Sequence, residues 1–150
     1  MLEAVARLAG KWTGTNRLWL TPQEAARESA TTMAVAPAAQ GRFLTFTYTW
    51  ADEGKPQDGV LLLGHEDDEV TGAWIDSWHL GNKVMVSRGA ANAAGGVSIA
   101  GTYAAPPGPD WGWHTVVEPR GADTFRFAMY NITPDGEESL AVEVIYTRAR

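Results

Sequence analysis

The chain has 150 residues, 45% of them apolar, with a net charge of −6 and an isoelectric point near 5.0. That length bounds it to about one domain. The acidic balance argues against nucleic acid or an anionic membrane surface as partner, because both require a basic footprint. With no cysteine present, disulfides, thiolate zinc sites and cysteine nucleophiles are excluded.

Leu2, Val5, Ala6, Leu8 and Ala9 recur at helical spacing and Gly10 ends the pattern, so residues 1–9 are expected to form a short helix. Glu3 and Arg7 fall where a signal peptide needs an apolar stretch. No apolar run approaches the roughly 20 residues of a membrane helix. A cytoplasmic location, with no membrane partner, is the expectation. Residues 11–20 read as the first strand. Residues 22–27 read either as a plain loop or as a second short helix, with Thr21 as N-cap, Pro22 at the first position and Glu24 completing a capping box.

A strand over 28–36 stops at Pro37. Residues 42–50 alternate, with Leu44, Phe46, Tyr48 and Trp50 on one face and Thr45, Thr47 and Thr49 on the other. The turn Asp52-Glu53-Gly54-Lys55-Pro56 leads into a strand at 60–65, and the acidic turn Glu66-Asp67-Asp68-Glu69 into one at 70–80. Gly81-Asn82 signals a tight hairpin before residues 83–88. The small-residue stretch 89–96 reads as a flexible loop whose Gly95-Gly96 opens a strand at 97–103. A Pro/Gly loop precedes 111–118, and two further turns lead into 124–132 and 139–148.

About ten short strands joined by hairpin-length connections predict an all-β, antiparallel, up-and-down barrel with a short N-terminal helix. Neither the first nor the last strand carries a proline or a lysine fringe, so closing one on the other removes two raw edges. Seven tryptophans, four tyrosines and four phenylalanines then leave two alternatives. They line a cavity for one small ligand, or they stack into a filled core.

The ordered set Leu8-Ala9-Gly10-Lys11-Trp12-Thr13-Gly14, Gly72-Ala73-Trp74-Ile75-Asp76-Ser77, Met129-Tyr130 with Pro134-Asp135-Gly136, and Glu143-Val144-Ile145-Tyr146-Thr147-Arg148 resembles the calycin barrels. These include lipocalins, fatty-acid-binding proteins and nitrobindin-like haem barrels. More closely, the chain resembles a bacterial family of lipocalin-like domains of unknown function. The resemblance implies a single calycin-like β-barrel domain over residues 1–150. It also implies that Trp12 packs at the closed end with Arg148 lying across it, a structural role. Nitrobindin-like barrels place their haem histidine near the C-terminus, and no histidine follows His114 here, so no cofactor is expected.

The reading of function is non-covalent binding of a small apolar or aromatic molecule in the barrel interior. Tyr48, Trp50, Trp74, Trp78, Trp113, Phe127 and Met129 supply the walls, and Asp76 and Tyr146 supply orientation. Asp76 is expected to share a strand face with Trp74 and Trp78, where an aromatic setting would raise its pKa. It then orients a ligand, holds backbone, or acts as general acid or base. Glu143 points either inward or outward, and Arg126, between Phe125 and Phe127, is expected to face water. His65, His79 and His114 show no metal-ligand spacing, and Ser77, Ser87, Ser98 and Ser139 lack a nucleophile elbow. No catalytic residue or metal ligand is assigned.

Two rival classes stand beside the binding reading. One is a small isomerase, cyclase or hydrolase using Asp76, with His79 or His114, as acid/base. The other is a protein-interaction barrel with a filled interior. There Arg17-Leu18-Trp19-Leu20 would contribute an outer patch through which a homodimer could form.

Overall fold

A computed structural model describes residues 2–150, so Met1, the first residue of the expected helix, lies outside the described residues. One short helix, α1 (Glu3–Ala6), precedes ten strands. They are β1 (Gly10–Leu18), β2 (Arg27–Ala38), β3 (Phe43–Asp52), β4 (Lys55–Glu66), β5 (Glu69–Asp76), β6 (Met85–Ala91), β7 (Val97–Tyr103), β8 (Trp111–Pro119), β9 (Thr124–Ile132) and β10 (Glu138–Arg148). Each strand pairs antiparallel with the next, and β10 returns to β1 to close the barrel. The closing register sets Trp12 opposite Arg148 and Leu18 opposite Val142.

Period-two alternation builds the wall. On β3, Leu44, Phe46, Tyr48 and Trp50 are buried, and the threonines between them face outward. Thr32 and Thr49 hydroxyls meet at 2.6 Å across the outer face of β2 and β3. On β9, Phe125, Phe127 and Met129 turn inward; on β10, Val142, Val144 and Tyr146 do the same. That parity settles Glu143 as outward. It also places Arg126 on the outer wall, though not in open water. Arg126 Nε donates to Glu143 at 2.8 Å and Nη2 to the Tyr130 hydroxyl at 2.8 Å, leaving its side chain 12% exposed.

One end of the barrel is shut. Val5 and Leu8 of the N-terminal segment are buried against it. The Trp12 indole N–H donates to the Leu8 carbonyl at 2.8 Å. The Arg148 guanidinium lies 4.3 Å from the Trp12 ring centroid and donates to the carbonyls of Ala9 (3.0 Å) and Ala122 (3.0 Å). Phe125 meets Trp12 edge-on at 4.7 Å. Gly10, at φ +139°, makes room for this arrangement, since a Cβ there would stand 2.7 Å from the Arg148 guanidinium.

Several expectations change: β2 runs through Pro37 to Ala38, and β6 takes in residues 89–91 of the stretch read as a loop. The helical pattern at residues 1–9 yields only the four residues of α1, because the chain must enter β1 at Gly10. Of the two readings of residues 22–27, the loop is the one that forms, ending at residue 26, with a single turn bond, Glu24 N–H to the Thr21 carbonyl at 3.3 Å. Arg27 is drawn instead into β2, where it pairs with Asp52 at 2.9 Å. Finally, β5 ends at Asp76 rather than at residue 80, and residues 77–84 make a longer link in place of a tight Gly81-Asn82 hairpin. Asp76 itself causes that stop. Among the described residues, no helix is long and apolar enough to cross a membrane.

Candidate functional site at the barrel mouth

Asp76 is the pivot of the open end. Its side chain is 3% exposed, at the last position of β5. Oδ1 accepts the backbone N–H of Trp78 at 2.8 Å and of His79 at 2.9 Å. Those amides would otherwise extend the strand, so the side chain converts strand into turn. The turn continues with Leu80 N–H donating to the Asp76 carbonyl and Lys83 N–H to the Leu80 carbonyl. The expected shared face of Trp74, Asp76 and Trp78 therefore breaks after Asp76. Trp78 leaves the strand and is 37% exposed, resting edge-on against Trp50 at 5.7 Å.

The other carboxylate oxygen ties the turn to β3. The Tyr48 hydroxyl donates to Oδ2 at 2.6 Å and the Trp50 indole N–H at 3.3 Å. The Tyr48 oxygen in turn accepts the Trp74 indole N–H at 2.8 Å. Register explains how Tyr48 reaches across a whole strand: Tyr48, Gly59 and Asp76 stand in one cross-strand row. A Cβ on Gly59 would overlap the Tyr48 ring and hydroxyl. The missing side chain on β4 is what lets a tyrosine on β3 bond an aspartate on β5. Burial, then the charge of Asp76 and the bond to it, hold the Tyr48 hydroxyl well above its usual pKa.

The turn swings His79 back over the barrel. In a continuing strand it would point away from Asp76; instead its ring lies among four indoles, 4.7 Å from Trp78, 5.4 Å from Trp74 and Trp113, and 5.7 Å from Trp50. Burial lowers the His79 pKa below the usual imidazole value, with the charge of Asp76 opposing that shift. Trp74 and Trp113 stack across the mouth, centroids 5.4 Å apart and planes 12° apart.

Beside this stack lies a partly open cavity of about 490 Å³, walled by Trp74, Trp113, His79, Tyr103, Met85 and the loop residues Leu80, Lys83 and Val84. Its size falls within the usual range for small-molecule sites, about 300–1,000 Å³. The Tyr103 hydroxyl is committed to Asn131 at 2.5 Å. Trp113 is different. Its Nε1 is the one buried side-chain polar atom, among the described residues, with no hydrogen-bond partner.

A family model for proteins of unknown function matches residues 2–148. The chain belongs to the DUF1579 family. A crystal structure of Rv2717c from M. tuberculosis is similar to this DUF1579 barrel, with a TM-score of 0.69 over 99% of this chain and 97% of that one, at 15% identity. At that identity the likeness is one of fold. No curated protein matches the chain.

Within the DUF1579 barrel, the residues expected to line a ligand site divide by depth. Tyr48, Trp50, Asp76, Phe127, Met129 and Tyr146 converge in the interior, together with Val142, Val144, Asn16 and His79, around a gap of only about 10 Å³. That volume is about the occupied volume of one water. At this level the barrel is filled. The Tyr146 hydroxyl is engaged by Thr31 at 2.8 Å, and burial raises its pKa. Trp74 and Trp113 alone of the expected set reach the larger cavity, and Trp78 stands outside its wall. Sequence reasoning missed Lys83, Met85 and Tyr103 as wall residues. The available signal was Asp76-Ser77-Trp78-His79, in which an aspartate two and three residues before free amides favours a turn over a continuing strand.

The remaining polar candidates sit on the outer wall. His114 Nε2 meets the Ser98 hydroxyl at 2.6 Å and Nδ1 meets Glu138 at 2.6 Å. The contact order matches a nucleophile–base–carboxylate relay. Ser98, however, lies mid-strand on β7, which is laddered on both sides by β6 and β8, so no pair of backbone amides is left to face an oxyanion. The chain of contacts ties three strands together. Arg17-Leu18-Trp19-Leu20 also divides: Leu18 is buried inside the barrel, while Trp19 lies under the Arg17 guanidinium at 5.0 Å. Among the described residues, no three His, Cys, Asp or Glu side chains are grouped to hold a metal ion.

Proposed function

We propose that this protein binds a small aromatic molecule, non-covalently, in the cavity at the barrel mouth. The observation that carries the reading is a partly open cavity of about 490 Å³ walled by the stacked indoles of Trp74 and Trp113. Flat walls supplied by Trp74, Trp113 and Tyr103 favour an aromatic guest. We read the barrel as calycin-like on the same footing, supported by the contact of Arg148 with Trp12 across the closing strands.

Binding is favoured over acid–base chemistry at Asp76. A carboxylate offers about four acceptor positions, and protein donors occupy two on each oxygen. A general base needs a free position facing substrate.

The test is a titration of indole fluorescence with the neutral aromatic 2-naphthamide, in wild type and in Ala104→Trp. Ala104 is exposed at the cavity margin, so a tryptophan there fills the mouth without touching the core. Saturable binding weakened tenfold or more by the substitution is expected. Binding that ignores Ala104→Trp, or no binding of any aromatic probe, defeats the reading.

A further inference from the structure

We infer that the mouth cavity selects an aromatic carboxylate over a neutral aromatic of the same shape. This rests on the proposed binding function and specifies its ligand class.

Charge distribution carries the argument. The chain holds 18 acidic and 12 basic residues, so this cavity is set in a net negative molecule. The cavity wall includes Lys83 and no Asp or Glu. Six of the twelve basic side chains, Arg17, Arg27, Arg88, Arg120, Arg126 and Arg148, pair with a carboxylate, and Arg7, Lys11, Arg42, Lys55 and Arg150 share the unpaired state with Lys83 among the described residues. Lys83 forms no ion pair among the described residues, and the turn begun by Asp76 fixes its backbone through the bond to the Leu80 carbonyl. Asp76 lies beneath the wall, its oxygens turned to Tyr48, Trp50 and the amides of Trp78 and His79.

The polar inventory has the same bias. The ammonium of Lys83 is a donor without a protein acceptor, the Tyr103 hydroxyl is already spent on Asn131, and the His79 ring and the Thr102 hydroxyl complete the polar wall. A guest that meets Lys83 and the aromatic walls together brings negative charge on a flat apolar body. A carboxylate on an aromatic ring does both, with the ring against the indoles and the anion at the cationic rim. A compact ammonium on a flexible stem is suited to meeting such an anion as a point charge.

The experiment compares 2-naphthoate with 2-naphthamide, equal in shape but not in charge, by isothermal titration of the full chain at neutral pH. Wild type, Lys83→Met and Lys11→Met are measured. Lys11 lies on β1 near the closed end and controls for net charge. Naphthoate is expected to bind about tenfold tighter than naphthamide. Lys83→Met should bring the two close to equality, and Lys11→Met should leave the ratio unchanged. Equal affinities in wild type overturn carboxylate selection while leaving the cavity reading standing, and so does an equal loss of the ratio in Lys11→Met. Failure of both probes overturns selection and cavity together.

Discussion

Trp12 and Trp113 occupy opposite ends of the same barrel and are both almost fully buried. At the closed end every polar handle has a use: the Trp12 N–H holds the Leu8 carbonyl, its face meets Arg148, and its edge meets Phe125. At the mouth, Trp113 stacks on Trp74 but its N–H has no acceptor, and a cavity lies beside it. The same residue type stabilises in one place and is left unfinished in the other. An unsatisfied buried donor costs about 1–3 kcal/mol, so the difference separates an end built for stability from an end that gives some up.

The largest expected effect comes from cutting the link between mouth and core. Asp76→Ala strips acceptors from four donors, and should lower stability by about 3 kcal/mol or more. The corresponding fall in Tm is roughly 10 °C for a chain of this size. Thermal denaturation checks it, and a fall of only a degree or two would mean that Asp76 does not hold the turn. Next comes the direct comparison. Trp12→Phe leaves the Leu8 carbonyl without its donor, whereas Trp113→Phe removes a donor that had no acceptor. Trp12→Phe should therefore cost about 1–2 kcal/mol more in urea unfolding; equal costs would erase the distinction between the ends.

The pH dependence separates the histidine at the mouth from two tyrosines buried within the barrel. His79 is held below the ordinary imidazole value of 6.5. The unfolded chain takes up the proton first, so the stability it contributes is complete above that value and is lost as pH falls toward the folded-state pKa. His79→Gln should flatten this acid limb. Tyr48 and Tyr146 are held above the ordinary 10.0. Their contribution is present below that value and is lost as the unfolded chain ionises at higher pH. Tyr146→Phe should soften that alkaline limb, read by equilibrium unfolding across pH. The smallest effect belongs to Trp78→Ala, about 1 kcal/mol or less, because that ring is 37% exposed and keeps mainly its edge contacts with Trp50 and His79.

The barrel was legible because alternation and turn residues act locally. Leu44, Phe46, Tyr48 and Trp50 announce their face without reference to anything distant, and residues 124–132 emerge as a strand with the boundaries expected. The site was legible only in part. Asp76 and its aromatic neighbours stood out, but parity assumed that the strand ran on to residue 80. Whether it did depended on a side chain capturing two backbone amides, and on a glycine one strand away allowing Tyr48 to lean across. Lys83 entered the wall through loop geometry, to which no periodicity applies, and Tyr103 entered it as the last residue of β7, at the strand end that faces that loop. Depth was hidden for a similar reason: alternation gives the inward face of a strand, not whether facing side chains meet in the middle.

Nine of the ten ladders join strands that follow one another in the chain; the tenth joins β1 to β10. Hairpins close short loops, whereas this seam must close over nearly the whole chain, and such non-local pairing is slow to form. Folding would then end at the seam. Arg148 stands at that seam opposite Trp12, gripping the carbonyl of Ala9 on one side and that of Ala122 on the other. Contacts made after the rate-limiting step slow unfolding without hastening folding. Arg148 is thus a latch whose worth is measured in the lifetime of the closed barrel.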